Sequence, residues 1–506
     1  MAEYKEIAIS EFFEKNKHLL GFDNPTKAML TMIKESVDNS LDACEEANIL
    51  PEVNVIIQNP VGSTFKISVE DNGPGIPEKH VTRVLGKLLC GSKFKSLGEA
   101  GMQSRGQQGI GISACVLYAQ LTTGKPTHIE SKTKGGRLYS CDMSLDTSKN
   151  EPIVTNEKIS DTPKPHGLKV SLEMKGVYRK SKGVDDFLKY SSVANPHAKI
   201  TFIDPEGNKT IFERVTHELP KKPKMVKAHP YGVELGTLMK MLARTNSRTV
   251  FSFLMNDFSR VGGQSAKDIC DAAKLDVQMR PNALSRDQAE ALLNAMQAAK
   301  LQRPPTDCLS PIGEEELTRG LNQEYKAEFV AACTRPVAVY RAIPFQIEVG
   351  LAYGGEISQE NSAELIRFTN KVPLFYQQSE CAINKAVLKT PWRRYGLSQP
   401  GGSLPQGPIV IAVHMASVWV PFISEGKQAI ASYPEIIKEI KLALGDVGRK
   451  LQRHVSAEKR KYAKERRLKV FEKYGEEVAI ALSNLTGKPK EEIFELVNRE
   501  IEKRRD

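Results

Sequence analysis

The sequence predicts a multidomain α+β protein, and three observations carry that prediction. A chain of 506 residues exceeds what one hydrophobic core organises. Helical periodicity alternates with strand patterns in the first third and again beyond residue 306. Two breaks, ELPKKPKMVKAHPYG and LQRPPTDCLSPIG, contain prolines that no continuous helix or central strand tolerates. The expected units are an α/β domain over 1–225, a small helical module over 226–305, a mixed α/β domain over 306–450 and a charged helical tail over 451–506.

The first element is a helix around KESVDNSLDA. At 100° per residue, Glu35, Asp38, Asn39 and Asp42 share one face, while Leu30, Ile33, Val37 and Leu41 form the opposite, core-facing stripe. A solvated acidic face is the ordinary outcome of such a pattern. Two later stretches change the weighing. A strand, Phe65-Lys-Ile-Ser-Val69, runs into Glu70-Asp71-Asn72-Gly73-Pro74-Gly75, a carboxylate at a strand end followed by two glycines where a flat ligand can approach the backbone. D-N-G also marks ordinary turns. Next comes Ser104-Arg-Gly106-Gln107-Gln108-Gly109-Ile110-Gly111, ahead of the helical run ISACVLYAQL, where backbone N–H groups at a helix start can hold phosphate oxygens. No G-x-x-x-x-G-K-[ST] occurs, which removes a P-loop as the explanation.

From Val233 to about Ala299 the pattern is helical, with a Gly262-Gly263 turn between amphipathic stretches. Strand patterns return in FQIEVGLAYGG and GPIVIAVHMASVWVPF. From Tyr433 onward the chain reads as charged helix, interrupted at Thr486-Gly-Lys-Pro489.

Composition bounds the chemistry. The eight cysteines, at 44, 90, 115, 141, 270, 308, 333 and 381, show neither C-x-x-C nor metal-ligand spacing, which argues against zinc and disulfides. The net charge of +11 suggests a polyanionic partner. Between Arg449 and Lys469 ten Lys or Arg stand against two Glu, so most of that excess sits on one helical stretch. With 40% hydrophobic and 26% charged residues, no apolar run of spanning length and no h-region in MAEYKEIAISEFFEKN, a cytoplasmic protein without a membrane partner is expected.

E-x-x-x-N on a helix, D-x-G-x-G after a strand and G-x-x-G-x-G before a helix, in this order, resemble the nucleotide-binding boxes of the ATPase superfamily of gyrase, heat-shock chaperones, histidine kinases and MutL-type repair proteins. EFFEKNKHLLGFDNPTKAML, GKLLCGSKF, RFTNKVPLFY, WRRYG and SEGKQAIA narrow the resemblance to the B subunit of type IIB DNA topoisomerase (topoisomerase VI), over roughly residues 5 to 450. It implies a Bergerat-type ATPase α/β sandwich, a helix–two-turn–helix module and a transducer domain with a left-handed βαβ crossover. It also implies ATP and Mg²⁺, with Glu35 polarising the attacking water and Asn39 as the Mg²⁺ ligand. Nucleotide contacts are implied for Asn39, Asp71, Gly73, Gly75, Ser92, Lys93, Gly106, Gln107, Gln108, Gly109, Ile110 and Gly111. Lys427, in Glu425-Gly426-Lys427, matches the transducer lysine that reaches the γ-phosphate. EYKEIAISEFF matches a strap that crosses to the partner in an ATP-dependent homodimer within a heterotetramer. The implied partners are double-stranded DNA and a separate DNA-cleaving A subunit.

One departure is expected to matter. His166-Gly167-Leu168 stands where the family has H-G-T, so adenine recognition would lean on Asp71 and on backbone or water contacts. Three other readings are weaker. A histidine kinase needs an upstream phosphoacceptor helix, and only His18 precedes Glu35. A silent scaffold would be expected to have lost some of Glu35, Asn39, Asp71 and the glycines. A MutL-like repair ATPase would not carry RFTNKVPL and SEGKQAIA.

Overall fold

The computed structural model describes residues 15, 17, 21–87, 99–106, 111–146, 151–358, 362–424 and 426–503. The EYKEIAISEFF segment, Ser92, Lys93, Gln107, Gln108, Gly109, Ile110 and Glu425 lie outside the described residues.

Helix α1 (Pro25–Glu46) starts where local chemistry places it. Asn24 caps it by accepting from the Lys27 N–H at 2.9 Å, and Pro25 fills the first helical position. Leu30, Ile33, Val37 and Leu41 are buried as the periodicity predicts. The opposite face differs from a solvated acidic one, because Asp38 and Asp42 are buried too, while Asn39 stays exposed.

The helix lies over an eight-stranded sheet built from β1 (Glu52–Val61), β2 (Thr64–Asp71), β4 (Thr127–Lys132), β5 (Leu138–Asp146), β6 (Glu151–Ser160), β7 (Gly167–Lys175), β8 (Lys199–Ile203) and β9 (Lys209–Phe212). A three-residue strand, β3 (Glu99–Gly101), lies outside that sheet. The sheet order is β6-β5-β4-β7-β2-β1-β8-β9, antiparallel except for the β1/β8 pair. Burial alternates along β2, β4 and β5, as expected when one face of a sheet packs on helices and the other meets water. Helices α2 (Glu78–Gly86), α3 (Gly111–Thr123) and α4 (Val184–Ala194) share the covered side with α1, and their apolar residues close one core.

β10 (Val226–Lys227) pairs with β3 and tethers the proline-rich connection to the first domain. Four helices follow, α5 (Leu235–Arg244), α6 (Val250–Asp257), α7 (Gly263–Ala272) and α8 (Arg286–Ala298), around a core of their own. Thr249 with Ser252 and Ser285 with Gln288 form capping boxes that start α6 and α8.

Next, helix α9 (Glu314–Tyr325) leads into β11 (Phe329–Thr334), β12 (Ala338–Tyr340), β13 (Ile343–Tyr353), β14 (Glu364–Thr369), β15 (Val372–Pro373), helix α10 (Ala382–Leu388) and β16 (Ile409–Ser417). The sheet order is β11-β13-β16-β14-β15, with β12 on β13. β14 and β16 are adjacent and parallel, so the chain between them, including α10, is a crossover. β16 is buried at every residue instead of alternating. Its Ile411 and Val413 side faces α10 and the next helix, while Val410 and Ala412 meet α9 and Val193 and Ala194 of α4. The first and third domains therefore share a core.

Helix α11 (Pro434–Thr486) runs unbroken through residue 450 for 53 residues, roughly 80 Å at helical rise. Ile436, Ile440, Ala443, Leu444, Val447, Leu451 and Val455 anchor its first half on the sheet. The basic residues of α11 after 458 are exposed. Gly487, in the left-handed region, stops the helix, and α12 (Lys490–Lys503) packs back against it. No helix among the described residues is long and apolar enough to cross a membrane.

Candidate nucleotide site

The site lies where the polar face of α1 meets the start of α3 and the β2 end. Glu35 projects from α1 to the first residue of α3 so closely that a Cβ on Gly111 would fall 1.9 Å from its Oε2. Only glycine leaves room for that carboxylate at the helix N-terminus, where the backbone dipole favours negative charge. One turn further, the exposed Asn39 presents Oδ1 toward Gly106, 3.8 Å from where a Cβ on that glycine would sit. The Gly106 carbonyl accepts from Ser104 Oγ at 2.8 Å.

Asp71 closes the other end. Its Oδ2 accepts from Ser40 Oγ at 2.8 Å, and Oδ1 accepts from the backbone N–H of Gly73 at 2.9 Å and of Leu168 at 3.2 Å. Burial raises its carboxyl above the usual range, against hydrogen bonds from Ser40, Gly73 and Leu168 that favour the charged form. Leu168 thus reaches Asp71 through its backbone, where a threonine hydroxyl was the family expectation. His166 Nδ1 donates to the Gly73 carbonyl at 2.7 Å, tying the two loops together. Gly75 has φ of +67°, and a Cβ there would lie 2.2 Å from the Lys132 carbonyl. The turn can pass so close to β4 only as glycine.

Lys427 sits with positive φ on the turn after β16 and lines a small cleft together with Lys34, Ser104, Asn370 and Phe422. The cleft therefore combines residues of α1, the glycine-loop arm and the third domain.

Arg105, inside the glycine motif, has a role that periodicity does not reveal. Its buried guanidinium donates through Nη1 to Asp42 Oδ1 at 2.5 Å, and through Nη2 to Glu45 Oε1 at 2.6 Å and Asn195 Oδ1 at 2.5 Å. His197 Nε2 is 2.9 Å from the same Glu45 oxygen. Burial would raise the Glu45 carboxyl, but Arg105 and then Lys371 hold it well below the usual range. Lys371 is itself buried, which lowers its ammonium to about 8 against the opposing pull of Glu45. A bidentate arginine with two carboxylates is the arrangement that makes buried charge tolerable. The signal in the sequence was Asp42 and Glu45 on successive helical turns, with one arginine between Ser104 and Gly106.

The residues fit a nucleotide with a divalent cation. Asn39 offers an exposed amide oxygen, the kind of single protein ligand Mg²⁺ takes beside phosphates and water. A glycine motif leading into a helix such as α3 is the kind of segment whose backbone N–H groups hold phosphate oxygens.

Residues 25–147 match the family described as histidine kinase-, DNA gyrase B-, and HSP90-like ATPase, and residues 304–467 match topoisomerase VI B subunit, transducer. The chain is 46% identical over 489 residues to the B subunit of type 2 DNA topoisomerase 6 from Methanosarcina barkeri, covering 96% of this chain and 78% of that protein. It is 49% identical over 461 residues to the corresponding protein of Archaeoglobus fulgidus, covering 90% and 76%. With that of Thermococcus onnurineus the identity is 39% over 551 residues, covering 99% and 96%.

Proposed function

The chain belongs to the family of type 2 DNA topoisomerase 6 B subunits, and on that premise we propose that it binds ATP with Mg²⁺ between α1, Asp71 and the start of α3 and hydrolyses it to drive dimer closure. The observation that carries the reading is the Glu35 carboxylate seated at the N-terminus of α3, with Asn39 exposed one turn away on the same helix face.

Each residue has a chemical part. Asp71, fixed by Ser40 and two backbone N–H groups, offers its remaining acceptor capacity to an adenine amino group. The N–H groups leading α3 hold phosphate oxygens, with Gly106, Gln107, Gln108, Gly109, Ile110 and Gly111 as the loop that approaches them. Ser92 and Lys93 belong to the same proposed shell. Glu35 orients a water molecule and accepts its proton as the oxygen attacks the terminal phosphorus, whose bond to the bridging oxygen breaks so that ADP leaves. Mg²⁺, held by Asn39 Oδ1 and phosphate oxygens, would supply charge neutralisation. Lys427 adds a second positive charge from the third domain, so the site is complete only when the two domains are seated together.

The cleavage of DNA is assigned to a separate A subunit. Closure of two copies of this chain, through the segment EYKEIAISEFF, would gate passage of one duplex through another within a heterotetramer. The exposed basic run on α11 suits contact with a polyanion such as double-stranded DNA, and a cytoplasmic location follows from that partner. The test is ATP turnover by wild type against Glu35→Ala and Asn39→Ala. Glu35→Ala should keep nucleotide binding and lose hydrolysis by roughly 10²- to 10⁴-fold, the range for a positioned acid–base group. Asn39→Ala should raise the Mg²⁺ concentration needed for nucleotide binding. Undiminished turnover in Glu35→Ala would remove that residue from the mechanism.

A further inference from the structure

The hairpin between β14 and β15 turns on two residues, Asn370 and Lys371, with φ of 48° and 68°. Turns with both central residues in the left-handed region are usually Asn-Gly, because a side chain at the second position is crowded. A lysine stays there when its surroundings over-determine the backbone. The restraints are identifiable. The Asn370 N–H donates to the Met415 carbonyl at 3.0 Å, and the Lys371 N–H donates to His414 Nε2 at 3.0 Å. His414 Nδ1 in turn donates to Glu348 at 2.7 Å, and Glu348 also accepts from the backbone N–H groups of Ile312 and Gly313. The turn is thereby fixed to the centre of the transducer sheet.

From that base it reaches the other domain. Asn370 Oδ1 accepts from the Ser417 N–H at 2.9 Å, while its Nδ2 donates to the Ser104 carbonyl at 3.1 Å. The Lys371 carbonyl accepts from Asn195 Nδ2 at 3.3 Å, and Asn195 Oδ1 accepts from Arg105. Lys371 Nζ donates to Ser310 Oγ at 3.1 Å, and Ser310 exchanges backbone hydrogen bonds with the Gln103 amide at 2.7 and 2.9 Å. Three successive residues entering the glycine motif, Gln103, Ser104 and Arg105, are therefore each tied directly or through one group to this turn.

We propose that Asn370 is a positioning residue for ATP hydrolysis: presented by a strained turn rooted in the transducer sheet, its amide holds the Ser104–Gly106 arm against Asn39, so that seating of the transducer shapes the nucleotide site. The assignment rests on the proposed nucleotide site. It is distinct from the contact assigned to Lys427, which acts on the phosphate itself, whereas Asn370 acts on the backbone beside it.

Two variants separate the side-chain bonds from the turn. Asn370→Gly accepts the left-handed backbone and removes both bonds. Asn370→Asp keeps the acceptor for Ser417 but sets a carboxylate against the Ser104 carbonyl. In the full chain, kcat for ATP should fall about 3- to 10-fold in Asn370→Gly, the scale of one hydrogen bond, and further in Asn370→Asp. ADP affinity should stay within about twofold, and amide exchange across residues 99–106 should accelerate in both. A purely structural role would instead lower the melting temperature and weaken ATP and ADP alike, leaving kcat of the folded fraction unchanged.

Wild-type kcat and wild-type exchange in either folded variant would overturn the assignment. If only one variant folds, by melting temperature, it carries the test; if neither folds, the turn is a folding element and the assignment is wrong. A wild-type chain that fails to bind or hydrolyse ATP would sink the proposed function together with this inference, and it shows in the control before any variant is compared.

Discussion

The Glu35 carboxylate occupies the space that a methyl group on Gly111 would fill, 1.9 Å from Oε2 to the position of that Cβ. The catalytic carboxylate proposed on α1 and the first residue of α3 are thus a matched pair. Gly111→Ala should fold, since the clash meets only the far end of a flexible side chain, yet it should displace the carboxylate. ATP turnover is expected to drop at least about 10-fold, toward that of Glu35→Ala, with a melting temperature near wild type. Full activity in Gly111→Ala would mean that Glu35 works from another position.

Lys427 shares a cleft with Lys34 and Ser104, although it comes from the third domain. Its replacement by Ala should reduce hydrolysis about 10-fold or more, because one charge-assisted contact is worth roughly 1.5 to 3 kcal/mol. ADP affinity should barely change, as ADP lacks the γ-phosphate. Titrating both nucleotides beside turnover decides the matter; equal losses for ATP and ADP would assign Lys427 to folding or to the base pocket.

Arg105 is a stability residue first. Arg105→Met leaves Asp42 and Glu45 without the cation they share, a loss of about 3 to 5 kcal/mol for breaking a buried ion pair. Arg105→Lys keeps the charge but not the planar fork that serves Asp42, Glu45 and Asn195 together, so it should recover less than half of that loss. Thermal melts of the three proteins at one pH and salt concentration test this, and equal melting temperatures for Lys and Arg would show that charge alone suffices.

Asp38 gives a pH dependence with a definite sign. Burial raises its carboxyl from 3.8 to about 7, while Lys34 pulls it down and Glu35 pushes it up. The folded state then holds a proton that the unfolded state releases between pH 4 and 7. Stability from this group is therefore greatest at acid pH and is lost as pH rises through that window, by up to roughly 4 kcal/mol. Asp38→Asn removes the titration. The melting-temperature difference between Asp38→Asn and wild type should grow in favour of the variant from pH 4 to 7 and level off above it. A difference that stays constant across this range would place the titration of Asp38 elsewhere.

Much of this was legible in the order of residues. The stripe Leu30, Ile33, Val37 and Leu41, the strand ending at Asp71 and the glycines before α3 are local patterns, set by helical and strand periods and by backbone sterics that act over a few residues. The proline-bearing stretch 218–232 lies between the last strand of the first sheet and the helices that begin at Leu235. The family motifs added the roles proposed for these residues, because a motif ties an expected chemistry to a position.

The sequence could not reveal which polar residues of α1 meet solvent. Asp38, Asn39 and Asp42 share a face by angle, yet Asn39 is exposed while Asp42 is buried against Arg105, 63 residues further on. Burial of a carboxylate depends on a cation arriving from elsewhere in the chain, and periodicity carries no information about that partner. In the same way, the Asn-Lys pair in RFTNKVPLFY reads locally as a hairpin turn; its contact with Ser104 spans 266 residues and exists only because the shared core of α4, α9 and the second sheet brings the two domains together. Local patterning determined the elements and the residues they present, and tertiary packing decided which charges pair and which domain borders the proposed site.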